Sequence, residues 1–197
     1  MLHSEMTTAR LEAFSDGVIA IIVTIMVLAL PAPQQPTWEA LLKVVPVFLS
    51  YGLSFLVVAI MWVNHHHLIH VARQVTARLL WSNLNLLFWM SLVPFVTEFL
   101  GKNYRVPMAV ALYGLDLVMC SCAFYILRME LTRQAASDSN LVAYHAGMQR
   151  KNAFSAFLYF VSVPLAYVSI YASFFIFALI PALYFLPERQ LAGRENK

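Results

Sequence analysis

Long apolar runs follow one another along this chain, and few charged residues interrupt them. Only 12% of the 197 residues are charged, whereas roughly a quarter are charged in ordinary soluble domains. A helix needs about 20 mostly apolar residues to cross the roughly 30 Å of bilayer hydrocarbon. Runs of about this length or longer occupy residues 9–30, 41–64, 79–100, 107–127 and 153–186. The sequence therefore predicts an all-α, polytopic membrane protein that crosses the lipid bilayer several times.

The last apolar run predicts two helices rather than one. As a single helix, its roughly 34 residues would extend about 50 Å, which exceeds the thickness of the hydrocarbon. We expect a break within residues 167–172 and two short, tilted helices, which gives six transmembrane helices in total. The longest polar connection, at about residues 132–151, is too short for a soluble domain. We therefore predict a single six-helix transmembrane domain, residues 1–190, and a short polar tail, residues 191–197.

Basic residues predict the orientation of the chain. Lys and Arg are enriched in cytoplasmic loops of membrane proteins. If the amino terminus is cytoplasmic and six helices span, all but three of the 13 Lys and Arg residues fall on the inside, the exceptions being Lys43, Lys102 and Arg105. This distribution predicts that both termini are cytoplasmic.

One face of the first span is a candidate lining for an ion path. Gly17, Ile21, Thr24 and Leu28 follow the helical repeat and share this face, and Ile25 lies beside them. Such a stripe can simply pack against neighbouring helices. Alternatively, a path for ions needs few charges, small or hydroxyl side chains and an apolar ring that excludes water. The residues at these positions satisfy all three requirements.

Asp16 places a carboxylate at the mouth of the first span, below the membrane interface. A carboxylate at this depth needs hydrogen-bond or ion-pair partners. Arg10, His65, Trp81 and Asn85 can donate, and the helices that carry them bring these groups to one membrane level. We predict a satisfied polar network between the first three helices.

The second span ends in a run of histidines that has two interpretations. His65, His66, His67 and His70 suggest a metal site, because imidazole is a common metal ligand. However, membrane metalloenzymes need histidines from several helices, and only two further histidines occur elsewhere in the chain. We expect one histidine to form a structural hydrogen bond, the others to lie at headgroup level, and no metal to be bound. A membrane-embedded metalloenzyme remains a rival interpretation.

Intramembrane acids provide a further alternative. Asp16, His65 and Asp116 can be read as relay groups of a proton-coupled transporter or a proton channel. Transporters usually contain internal repeats and interrupted helices. No internal repeat is visible, although Pro94 and Pro164 are candidate interruptions.

Three motifs together resemble a known family. These motifs are Arg10-x-x-x-Phe14-Ser15-Asp16, Trp62-x-x-His65-His66 and the run from Asn83 to Phe88. They are similar to the bacterial branch of the lysosomal/endosomal potassium channel family, transmembrane protein 175. The resemblance implies a leak-like cation channel that is modestly selective for potassium, and not an enzyme. It also implies a homotetramer whose first helices surround a central pore, since members with two six-span repeats form dimers and this chain has one repeat.

The resemblance also implies roles for particular residues. Ile21 corresponds to the narrow apolar constriction, Thr24 to a hydroxyl-bearing pore position and Leu28 to a further apolar ring. The residues implied to fix the first helix are Arg10, Phe14, Ser15, Asp16, His65, Trp81 and Asn85. We expect no cofactor, no metal beyond transient K⁺ in the pore, no nucleic-acid partner and a location in the plasma membrane of a bacterium.

Overall fold

This computed structural model describes residues 7–70, 72, 74–134 and 139–185, and these residues contain six α-helices. The helices are α1 (Thr8–Leu28), α2 (Trp38–His70), α3 (Ala77–Lys102), α4 (Pro107–Gln134), α5 (Ser139–Val168) and α6 (Ile170–Phe185). The first four are long and apolar enough to cross a membrane. The prediction of an all-helical, six-helix chain is thus confirmed within these residues. The tail 191–197 lies outside them.

Local signals explain the ends of α1. The side chain of Thr7 accepts a hydrogen bond from the Arg10 amide, which caps one of the free N–H groups at the start of the helix. The helix ends at Leu28, before the prolines at positions 31, 33 and 36. Proline cannot donate to a helix and clashes with the preceding turn, so this boundary agrees with the prediction.

Several helices are longer than their apolar runs, α2 and α5 most of all. α2 continues through all four histidines to His70, and α5 begins at Ser139. Most of the predicted polar connection at residues 132–151 is helical, so it is not a loop between helices. The prediction that α5 is short is also wrong, because it has 30 residues. Apolarity marks only the part of a helix that lies in hydrocarbon. Outside the hydrocarbon, a helix continues until its hydrogen bonding is interrupted.

The expected break in the last apolar run is present. α5 ends at Val168 and α6 begins at Ile170, which places the break inside the predicted window. The Ser169 side chain accepts from the Ala172 amide at 3.4 Å, and Ser173 donates to the Ser162 carbonyl at 2.9 Å. These bonds cap α6 and hold it against α5. By contrast, Pro94 and Pro164 lie inside continuous helices, so the predicted candidate interruptions are wrong.

The packing of the helices places α1 at the edge of the molecule. α4 packs against both α3 and α5, and α6 packs against α5 with smaller contacts to α2 and α4. α1 contacts only α2 and α3 among the described helices. Because only these two helices cover it, a broad part of its surface remains open.

A close crossing fixes the ends of α2 and α3 against each other. A Cβ atom added at Gly101 would lie 2.8 Å from the Val47 Cα atom. Only glycine permits this approach, since the obstacle is backbone. The first part of α2 therefore rests directly on the end of α3, and the position of α3 in turn sets the surface on which α1 packs.

Candidate pore helix and its polar contacts

One side of α1 is buried against the subunit's own helices. The buried positions are Leu11, Ser15, Ile19, Ile22 and Met26. They recur every three or four residues, as expected for a single helical stripe. The apolar members belong to a core shared with α2, α3 and α4. This stripe determines the rotation of α1 in the subunit and therefore which residues point away from it.

All five predicted pore residues lie on the opposite side of α1. Gly17 and Thr24 are exposed, and the exposed fractions of Ile21, Ile25 and Leu28 are 58%, 48% and 82%. None of these residues belongs to the buried stripe. The subunit therefore presents a nearly uncharged surface, mostly apolar, with one hydroxyl group in its middle.

The hydroxyl group of Thr24 has a defined direction. It donates to the Ile21 carbonyl at 2.8 Å. A hydroxyl that uses its hydrogen in this way keeps lone pairs that can face outward. Thr24 therefore offers an oxygen acceptor, and not a donor, on the exposed side of the helix.

A hydrogen-bonded chain joins α1, α2 and α3 below this surface. His65 Nε2 lies 2.7 Å from Asn83 Oδ1, and Asn83 Nδ2 donates to Ser15 Oγ at 2.9 Å. Ser15 in turn donates to the Leu11 carbonyl at 2.9 Å. The three side chains are completely buried. This contact directly connects the candidate pore helix with both of its neighbours.

The direction of every hydrogen bond in this network of Ser15, Asn83 and His65 is determined. Ser15 gives its only hydrogen to a carbonyl, so it must accept from the Asn83 amide. Asn83 therefore uses its oxygen toward His65, and His65 Nε2 carries the hydrogen. The hydrogen-bond network ends at the backbone carbonyl of Leu11, which cannot pass a proton onward. The arrangement is suited to holding helices together and not to proton transfer.

Two further contacts join α1 to α2 in register. Trp62 Nε1 donates to Asp16 Oδ1 at 2.9 Å, and His66 Nδ1 lies 2.8 Å from Glu12 Oε1. The two acids are four residues apart on α1, and their partners are four residues apart on α2. Because α1 and α2 run in opposite directions, these pairs form successive rungs between the helices. We call them the α1–α2 ladder.

The other residues predicted for the polar network lie apart from it. Arg10 and Phe14 are exposed, and the exposed fraction of Trp81 is 71%. Asn85 is half-buried, and its side chain has no hydrogen bond within the described ranges. The structure therefore brings together Ser15 and His65 of the predicted set, and it pairs Asp16 with Trp62. Trp81, near the start of α3, has the exposure of an interfacial anchor.

Three partners were absent from the predicted site. They are Glu12, Trp62 and Asn83, although Trp62 and Asn83 are part of the recognised motifs. The spacing offered one usable signal for these pairs. Two acids lie four residues apart on α1, and two possible donors lie four residues apart on α2. Nothing local identified Asn83, rather than Asn85, as the inward-facing amide.

The other candidate groups are separate from α1. Asp116 is 5% exposed, and neither carboxyl oxygen has a hydrogen-bond partner in the described part of the chain. Cys120 and Cys122 are free thiols. Among the described residues, no group of three or more His, Cys, Asp or Glu side chains is placed to hold a metal ion.

Comparison with known proteins gives a consistent assignment. The family model described as endosomal/lysosomal potassium channel TMEM175 matches residues 10–94. A potassium channel of Chryseobacterium sp. (strain P1-3) is 38% identical over 187 residues, covering 94% of this chain and 96% of the relative. A potassium channel of Chamaesiphon minutus is 34% identical, covering 90% of this chain and 93% of the relative.

A solved structure and a human relative extend the comparison. The crystal structure of a Chamaesiphon minutus homologue, described as a lysosomal potassium-selective channel TMEM175 homolog, superposes with a TM-score of 0.78 at 27% identity. The match covers 90% of this chain and 95% of that chain. The human endosomal/lysosomal proton channel TMEM175 is 36% identical over 100 residues, which are 44% of this chain and 20% of the human protein. The near-complete match to the Chryseobacterium channel shows that this chain belongs to the TMEM175 family of ion channels, as a multi-pass membrane protein and not an enzyme.

Proposed function

We propose that this protein is a leak-like cation channel with a modest selectivity for potassium. Four copies surround a central pore, and α1 of each copy lines it. The observation that carries this proposal is the exposure of all five predicted pore positions on the side of α1 that its own subunit leaves uncovered. Potassium channels of two bacteria match nearly the whole chain, which supports the choice of cation.

In this pore, Ile21 forms the narrow constriction, and Ile25 and Leu28 extend the apolar wall. Four branched side chains around one axis exclude water when they are close and admit a partly dehydrated ion when they separate slightly. Thr24 adds a ring of oxygen atoms whose lone pairs can replace part of the ion's water shell, because its hydrogen already points to a carbonyl. Gly17 leaves space at the cytoplasmic entrance, since nothing lies within 4 Å of a Cβ added there.

The buried contacts act in this proposal as supports of the pore helix. Ser15, His65 and Asn83 set the rotation of α1, and the α1–α2 ladder sets its height. In this proposal, Ser15 and Asp16 of the signature position the pore lining without contacting the ion. Arg10 and Phe14 are exposed in the isolated subunit and are available to neighbouring copies or to lipid headgroups.

The proposed topology has six transmembrane helices with both termini in the cytoplasm. Residues 1–190 form one channel domain, and residues 191–197 form a polar tail. The location is the plasma membrane of a bacterium, with the lipid bilayer, monovalent cations and further copies of the chain as partners. The proposal includes no nucleic acid and no cofactor other than permeant K⁺.

Replacement of Ile21 by serine tests the pore assignment. A small polar side chain should wet the constriction, and a barrier lower by about 1.4 kcal/mol would raise K⁺ flux about tenfold. The difference between K⁺ and Na⁺ flux should also decrease. Both fluxes are measured in liposomes that contain the purified protein.

Val27→Ser is the matched control for this experiment. Val27 is a branched apolar residue of the same helix with an exposed fraction of 45%, but it lies outside the proposed pore stripe. Its replacement should leave the K⁺ flux close to that of the unmodified protein. An unchanged flux in a well-folded Ile21→Ser protein would contradict the proposed constriction.

A proton channel is the second candidate function, because the animal relatives carry that name. Asp116 is the group that favours it, as a buried acid without a hydrogen-bond partner within the described residues. However, His65 is fixed in a chain that ends at a carbonyl, and Asp16 belongs to the ladder. Proton flux that persists without K⁺ and is abolished by Asp116→Asn would favour this candidate.

A further inference from the structure

Three aromatic side chains form a column on one face of α2. Trp62, His66 and His70 are spaced by four residues, and the rings of His66 and His70 are stacked with centroids 5.9 Å apart. Both histidines are exposed. His67 lies one position further along the chain, so the helical repeat turns its side chain about 100° away from His66. The rings of His66 and His67 are also close, with centroids 5.7 Å apart, but they meet edge to face, and only His66 and His70 share one face of α2.

Glu12 determines which nitrogen of His66 is available. The Glu12 carboxylate lies 2.8 Å from His66 Nδ1, so Nδ1 carries a hydrogen and donates it. In the neutral ring, Nε2 then keeps a free lone pair. Metal-binding histidines characteristically donate their second ring nitrogen to a carboxylate, which fixes the ring and makes it a stronger ligand. Glu12 already holds His66 in this manner.

We propose that His66 and His70 form a binding site for a divalent transition-metal ion of the zinc class, with Glu12 as the outer carboxylate. Two imidazoles that share a metal at about 2.0–2.1 Å have ring centroids about 5–6 Å apart, and the observed separation agrees with this range. Water occupies the remaining coordination positions. The site therefore needs only two protein ligands, and it is distinct from the three-ligand sites that the described residues do not contain.

The bound ion would strengthen the contact between α1 and α2. The Glu12–His66 pair is one rung of the α1–α2 ladder, and the Asp16–Trp62 pair is the next. A metal cation at His66 increases the attraction to the Glu12 carboxylate and restricts His66 to one rotamer. This site lies outside the exposed pore stripe, so its binding can be measured independently of ion flux.

Zinc titration of the purified full-length protein tests this site. The protein is prepared without a polyhistidine tag, and Zn²⁺ binding is followed by calorimetry or by competition with a chelating dye. We expect one Zn²⁺ per chain. His66→Ala and His70→Ala should each weaken binding about tenfold or more, and the double variant should abolish it. Glu12→Gln should weaken binding about 10–100-fold, as the loss of an outer-shell partner does elsewhere.

His67→Ala is the matched control, because it removes a neighbouring histidine from a different face of α2. It should leave the affinity and the stoichiometry unchanged. Size-exclusion profiles identify any variant that fails to fold, and His70→Gln replaces His70→Ala if that variant is lost. Equal weakening by His67→Ala, or full Zn²⁺ binding in the double variant, would overturn the proposed site.

Discussion

Asn83 holds three helices together with a single amide group. Its oxygen accepts from His65 on α2, and its nitrogen donates to Ser15 on α1. All three side chains are fully buried, so water cannot replace either hydrogen bond. A buried donor or acceptor that loses its partner costs about 1–3 kcal/mol. The amide is therefore a specific point at which the position of the candidate pore helix depends on its neighbours.

Asn83→Ala should destabilise the protein, because it leaves groups on both α1 and α2 without partners. The expected loss of about 1–3 kcal/mol corresponds to a fall in Tm of about 2–12 °C. Thermal unfolding of the detergent-purified protein, followed by size-exclusion chromatography, measures this change. Asn85→Ala is the control and should have a smaller effect, since Asn85 is half-buried and its side chain has no hydrogen bond within the described residues. Equal losses of Tm in the two variants would contradict the stabilising role of the buried hydrogen-bond network.

The structure also changes the expected role of Asp16 at this scale. An ion pair with Arg10 was one predicted use of the carboxylate, but Asp16 accepts from Trp62 and Arg10 is exposed. The contact therefore helps to set the register of α1 and α2.

At the scale of a helix, the two sides of α1 have different tasks. One side is packed into the core of the subunit, and the other carries Ile21, Thr24 and Leu28 in the open. An exposed apolar surface in a membrane protein can face lipid or an aqueous path that other copies complete. These two environments differ in their access to charged, water-soluble reagents.

Thiol labelling distinguishes these two environments. In a Cys122→Ser background, Leu28→Cys should react with a charged thiol reagent and reduce K⁺ flux, because the proposed pore admits water to this position. Phe160→Cys on α5 is the control, since Phe160 is 62% exposed but belongs to a helix that does not contact α1 within the described residues. It should remain unlabelled in lipid. Labelling of Phe160→Cys alone would place the aqueous path elsewhere.

At the scale of the whole molecule, one subunit cannot enclose a pore with α1 at its edge. α1 contacts α2 and α3 and leaves its opposite side uncovered. A closed ring of identical copies buries such a surface around a symmetry axis. We proposed four copies because family members with two six-helix repeats form dimers, whereas this chain has one repeat.

The mass of the purified protein tests this assembly. In a preparation that conducts K⁺, native mass spectrometry should give a complex of four 22.3 kDa chains. Ile21→Ser should keep this mass, because it changes only the proposed constriction. A monomeric or dimeric species that retains full K⁺ flux would contradict the four-copy pore.

The sequence by itself determined the helical membrane architecture and the set of residues that share one face of α1. Apolar length identifies a helix that can cross the bilayer, and helical periodicity places Gly17, Ile21, Thr24 and Leu28 on one face. Both properties belong to a single segment, so no knowledge of other segments is needed. The family motifs were equally local, since they consist of closely spaced residues on three successive helices.

Only the tertiary structure decided which polar groups meet. Asp16 and Trp62 are 46 positions apart, and Ser15 and Asn83 are 68 positions apart. The choice of Asn83 over Asn85, and of Trp62 over Arg10, depends on how each helix is rotated and shifted against its neighbours. Rotation and shift follow from the packing of whole helix faces, including the close crossing at Gly101. The helices could therefore be predicted segment by segment, whereas the contacts that fix the candidate pore helix required all of them together.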